Sequence, residues 1–174
     1  EGKGFSPTHV IIWRCCEAME KQAEREEVGA FHFHLSEMLF AFLAYEAYLN
    51  FVMRFMAPEA YESEQKKDIK GKLKAIEKNV GLIIDRSKDP YATVAWHEKF
   101  RDFLVHGKPD EYALSLAAVK VKPDFPFNSK LEQWVSKEKA RSLKSMVFEL
   151  CCEIHSFVLK KADPRLHSKL GDGP

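Results

Sequence analysis

Apolar positions recur at three- and four-residue intervals along most of this chain, the spacing that gathers side chains on one face of an α-helix. Ser6-Pro7 reads as an N-cap followed by proline at the first helical position. Val10, Ile11, Cys15, Ala18 and Met19 then carry an apolar stripe to about residue 28, and Gly29 interrupts it. A second helix is predicted from about His32 to Met56. Leu35, Met38, Leu39, Phe42, Leu49, Met53 and Met56 form one stripe, and Phe40, Leu43, Ala47, Phe51 and Phe55 form another. Apolar residues on nearly every side make this a central, largely buried helix, ended by Pro58. A third helix is predicted from Glu64 to Asn79, with Ile69, Leu73, Ile76 and Val80 inward, Lys66, Lys67, Lys70, Lys72, Lys74 and Lys78 outward, and Gly81 closing it.

Asp89-Pro90 opens a fourth helix that runs to His106 and is stopped by Gly107 and Pro109. Tyr112, Leu114, Leu116, Ala118 and Val121 form either a short β-hairpin arm around 112–122 or an irregular excursion, before Pro123 and Pro126 break the chain. A capping box from Ser129 to Glu132 starts the last helix. Leu143, Val147, Leu150, Ile154 and Phe157 carry its stripe to about Lys161. The expected fold is all-α, an up-and-down bundle of four to five long helices in a single domain, 1–174. No glycine-rich phosphate loop precedes a helix and no βα alternation appears, so the sequence does not support P-loop or dinucleotide-binding readings.

Charge narrows the function. Lys and Arg number 27 against 26 Asp and Glu, so nucleic-acid binding would need a local patch rather than a polycationic surface. The lysines of the third helix, and Lys137, Lys139, Arg141 and Lys144 in the last, are diluted by acidic neighbours and read first as solvated faces. The four cysteines form two vicinal pairs, Cys15-Cys16 and Cys151-Cys152. Adjacent helical residues point about 100° apart, so a bond within a pair would be strained. Small core residues are the expected role; a zinc site built from both pairs is the alternative, without the C-x-x-C spacing. His32 and His34 are two apart and point to different faces, which favours packing over shared metal ligation. No run of about 18 apolar residues marks a membrane span, and no signal-peptide pattern is visible, which leaves the cytoplasm as the default compartment.

The segment Trp96–Gly107 carries the chemistry. On a helical wheel Trp96, Phe100, Phe103 and Leu104 share a core-facing arc, whereas Arg101, Val105, Asp102 and His106 share the opposite one. An apolar Val105 between polar neighbours suits a second packing surface such as a dimer seam. His106 sits at the helix C-terminus, where the dipole favours protonated imidazole, and Asp102 one turn earlier is placed to orient the ring. A histidine that titrates near neutrality can exchange protons with a 2′-hydroxyl or a leaving 5′-oxygen. A guanidinium fork matches non-bridging phosphate oxygens. Together they suffice for RNA transesterification, and no metal or other cofactor is called for. On the second helix Glu46 and Asn50 fall on the apolar stripe. A carboxylate there needs a cation from a neighbouring helix, with Arg101 the natural candidate.

The order Arg101-Asp102-x-x-x-His106 resembles the R-polar-x-x-x-H motif of the HEPN superfamily of helical bundles. The helix order is similar over residues 8 to 160: a central helix bearing Ala44-Tyr45-Glu46-Ala47-Tyr48-Leu49-Asn50, a motif helix ending His-Gly, then a last helix. The resemblance implies a metal-independent ribonuclease, often a toxin or phage-defence effector, with its site at a homodimer seam. Arg101 and His106 would match the catalytic pair, and Asp102 the polar residue that is often Asn in relatives. Glu46 and Asn50 would support them. It also implies an RNA or nucleotide ligand and an antitoxin or other partner protein. Because Asp is a poorer neighbour for phosphate than Asn, the other expectation is a non-catalytic nucleotide- or protein-binding module of the same fold.

Overall fold

The computed structural model describes residues 8–26, 28–56, 61, 65–105 and 133–161. Among them all regular structure is helical: α1 (Thr8–Arg25), α2 (Ala30–Met56), α3 (Ile69–Val80), α4 (Tyr91–Val105) and α5 (Lys137–Lys161). The chain is an all-α helical bundle, as its periodicity predicts. The expected arm around 112–122, the Ser6-Pro7 cap and the Ser129–Glu132 capping box lie outside the described residues.

α2 is the hub, in contact with each of the other four helices. Tyr45, Tyr48, Leu49 and Val52 on α2 meet Leu73 and Ile76 of α3 and Leu143, Leu150 and Ile154 of α5 in one core. Full burial of each aliphatic side chain contributes about 1.5–3 kcal/mol before entropy is subtracted. By length and composition α2 could cross a membrane, although no uninterrupted apolar run suggests it. Half of that apolar stretch is buried inside the bundle.

α1 packs on α2 through a face the sequence pattern did not select. His9, Cys16 and Ala23 are its buried residues, whereas Ile11 is 55% exposed and Ala18 is exposed. Small residues at this seam let the two helices approach, and the Cys16 thiol donates to the Glu37 carbonyl at 3.3 Å. The expectation that the largest apolar residues face inward fails here because close helix contact favours small ones. Gly29, at φ 91°, supplies the left-handed backbone in the turn into α2. α1 meets α5 through side chains: Glu20 with Lys144 and Arg141, Glu24 with Arg141, and Trp13 against Phe148 at 5.9 Å.

α3 starts on Asp68, later than the predicted Glu64, because the Asp68 carboxylate accepts the Gly71 N–H at 2.8 Å, and it ends on Gly81 at φ 72°. α5 starts on Ser136 rather than at the predicted Ser129, since the chain is not helical at 135–136 and the Ser136 hydroxyl accepts the Lys139 N–H at 3.2 Å; its stripe Leu143, Val147, Leu150 and Ile154 is buried as expected. Trp134, just before α5, is ringed edge-on by Trp96, Phe100 and Phe103 of α4 at 6.0, 5.6 and 5.4 Å.

Candidate functional site

α4 opens where the Asp89 carboxylate accepts both the backbone N–H and the hydroxyl of Thr93, at 3.0 and 2.6 Å. Its buried residues are Tyr91, Val94, His97 and Phe100. The inner face is therefore rotated toward His97 relative to the predicted arc. Trp96 is 45% exposed, and Phe103 and Leu104 are half-buried. Phe103 and Trp96 are held instead at the edge of the core, against Trp134. His97 is edge-on to Trp96 at 4.6 Å. Burial, then the nearby Lys139, brings its pKa down to about 4.

Arg101 and Asp102 stand on the outer side of the last turns. One guanidinium nitrogen of Arg101 meets the Asp102 carboxylate at 3.1 Å, with the arginine side chain one-quarter exposed and the aspartate about half. Nε of Arg101 is buried with no hydrogen-bond partner among the described residues. Val105 is 64% exposed in the same arc. Glu98, one turn before Asp102, has its carboxyl pushed up by burial. Lys70 and Arg101 oppose this, while Asp102 and Asp68 add to it. His106 lies outside the described residues, one position past Val105.

Glu46 has the cationic partner that its position demands, but the partner is Lys72 and not Arg101. The Lys72 ammonium donates to Glu46 at 2.7 Å, with the lysine side chain 2% exposed and the glutamate 33%. Lys72, expected outward, sits on the wheel about 40° from Ile76 at the edge of the buried arc, so its stem runs along the buried face of α3 and its head reaches α2. Asn50, one turn on from Glu46, has its Oδ1 buried without a partner among the described residues. Glu46 is thus committed to an interhelical ion pair rather than to Arg101.

Two interior polar groupings were not singled out from the sequence. Tyr48 and His155 Nδ1 lie 3.2 Å apart, and His9 is edge-on to Tyr48 at 5.4 Å. Burial, with His155 adding to it, lowers the pKa of His9. His34 and the fully buried Glu37 are 3.2 Å apart, so His34 takes the packing role expected of it. Burial raises the Glu37 carboxyl against that bond. His155 lies one helical turn after Cys151, beside the predicted α5 stripe, and His9 seven residues before Cys16, and neither position carried a chemical motif. All four cysteines are free, Cys16 and Cys151 buried and Cys15 and Cys152 half-buried. Among the described residues no three His, Cys, Asp or Glu side chains converge on a metal position, so the two cysteine pairs do not form the alternative zinc site.

Comparison with protein-family models, with curated proteins and with solved structures found no match.

Proposed function

We propose that this chain is a metal-independent endoribonuclease of HEPN type, with Arg101 and His106 as its catalytic pair. The observation that carries the reading is the half-engaged guanidinium of Arg101. Asp102 holds one edge, and the buried Nε has no acceptor among the described residues. A buried donor without a partner costs about 1–3 kcal/mol, and a phosphate oxygen would satisfy it. In the reaction the 2′-oxygen attacks the adjacent phosphorus, a 2′,3′-cyclic phosphate forms and the bond to the 5′-oxygen breaks. His106 takes the 2′-hydroxyl proton or returns one to the leaving oxygen, and Arg101 offsets charge on the phosphorane. Asp102 is the orienting neighbour; Asn50 supports it from α2, and Glu46 acts only through Lys72.

The exposed Val105 beside Arg101 supports a homodimer seam at this face. A cytoplasmic toxin or phage-defence role, with an antitoxin or other partner protein, completes the proposal. Cleavage of single-stranded and structured RNA in EDTA tests it. The wild-type chain should cut, and Arg101→Ala and His106→Ala should each lose about 100-fold or more. Cleavage that survives both substitutions, or that requires added metal, refutes the assignment.

The Arg101–Asp102 pair also favours a second reading, because an aspartate on the guanidinium competes with phosphate. In that reading the face is a non-catalytic module that binds a nucleotide or a partner protein. Nucleotide binding that depends on Arg101, with no cleavage by the wild-type chain, would select it.

A further inference from the structure

We propose that the groove between the C-terminal end of α2 and the outer side of α3 binds a single-chain anionic amphiphile of the fatty-acid class. This goes beyond the ribonuclease reading and does not depend on it. The groove has a volume of about 550 Å³, within the usual range for small-molecule sites. Its apolar lining comes from Met53, Met56, Ala75 and Ile76. Methionine side chains are unbranched and polarizable, so they conform to a flexible alkyl chain. None of its described lining residues is aromatic, which leaves no platform for stacking a base.

The polar lining is cationic. Lys67, Lys74 and Lys78 border the groove against one carboxylate, Asp68, and that carboxylate is already used to cap α3. Lys74 and Lys78 are exposed, and among the described residues neither makes an ion pair. Charge complementarity therefore selects an anionic head, and the thioether lining selects an aliphatic tail.

Gly71 shapes the wall. A glycine inside a helix is unfavourable by about 1 kcal/mol relative to alanine. Here a Cβ would come within 2.9 Å of the Lys67 Cβ and 3.0 Å of the Asp68 carboxylate. The missing side chain lets the Lys67 stem lie against the helix and keeps the groove open.

Titration calorimetry of the full chain with dodecanoate below its micellar concentration tests the proposal, with dodecyltrimethylammonium as the same tail under the opposite charge. One saturable site per chain is expected, weakened at least tenfold in K74E/K78E and in Gly71→Ala, and not occupied by the cationic analogue. Circular dichroism should show both variants still helical, since the two lysines are exposed and alanine is a better helix former than glycine. Unchanged affinity in K74E/K78E, equal binding of the cationic analogue, or no saturable uptake overturns it. So does a groove that takes anionic vesicles or single-stranded RNA in preference to monomeric dodecanoate. None of these results bears on cleavage at Arg101.

Discussion

Replacing Glu46 with alanine removes the acceptor that holds the Lys72 ammonium inside the bundle. The lysine is 1% exposed, so its charge keeps little hydration once the carboxylate is gone. Breaking one side of a buried pair typically costs about 3–5 kcal/mol. Glu46 is one-third exposed, so water can enter where its carboxylate stood and soften the loss. An expected cost of about 2–4 kcal/mol follows. The reverse replacement, Lys72→Met, keeps the buried stem volume and leaves Glu46 with its own access to water, so it should cost about 1 kcal/mol or less. Urea unfolding followed by far-UV circular dichroism measures both midpoints, with constant slope as the test for two-state behaviour. Equal losses in the two variants, or a Glu46→Ala loss under 1 kcal/mol, would refute the claim that the ion pair is held for Lys72's sake.

The remaining expectations concern pH, thiols and a helix end. His97 is 3% exposed with its pKa brought down to about 4, so the folded chain binds fewer protons there than the unfolded chain does. Its stabilising contribution is complete above pH 6.5 and is lost as pH falls toward 4, by an amount on the order of 3 kcal/mol. Unfolding midpoints from pH 7 to 4.5 should flatten in His97→Phe, and a slope unchanged by that substitution refutes the assignment. Burial raises the Cys16 thiol to about 12, and Cys151 is raised by burial as well, so iodoacetamide at pH 8 should modify Cys15 well before either. Mass spectrometry of peptides checks the order, and early labelling of Cys16 would contradict the α1–α2 seam. At Gly81 a Cβ would meet nothing within 4 Å, so Gly81→Ala should cost about 1–2 kcal/mol from the left-handed backbone alone. A neutral result in thermal unfolding would mean the cap does not hold α3.

The helices were legible because their apolar periods and end signals agree. Gly81 ends α3 as read, although its start is set by Asp68 and not by Glu64, and the α5 stripe from Leu143 to Ile154 is buried as its spacing requires. Which face of a helix turns inward was less legible when partners had to approach closely. α1 turns Cys16 and Ala23 inward and leaves Ile11 outside, a choice that depends on the neighbour's shape and not on hydrophobicity. On α4 the inner face includes His97, because an aromatic ring can be buried as a neutral group among Trp96 and Phe42. For the candidate site, the sequence identified Arg101 and Asp102 as neighbours on an outer face and Glu46 as a carboxylate in need of a cation. It could not choose between Arg101 and Lys72 as that cation. Both were plausible by type, and the choice rests on which helix lies against α2 at that level.

The lacing between α1 and α5 gives the molecule two kinds of joint. α1 is pressed onto α2 by close side-chain contact, whereas its joint with α5 adds to the Trp13–Phe148 ring contact a set of carboxylates reaching Arg141 and Lys144 near the surface. Added electrolyte weakens the ionic part of the second joint and leaves the first almost untouched. The N-terminal hairpin of α1 and α2 can therefore keep its integrity while the outer flank of α1 loosens, so ionic strength acts on one edge of the bundle without dissolving its centre.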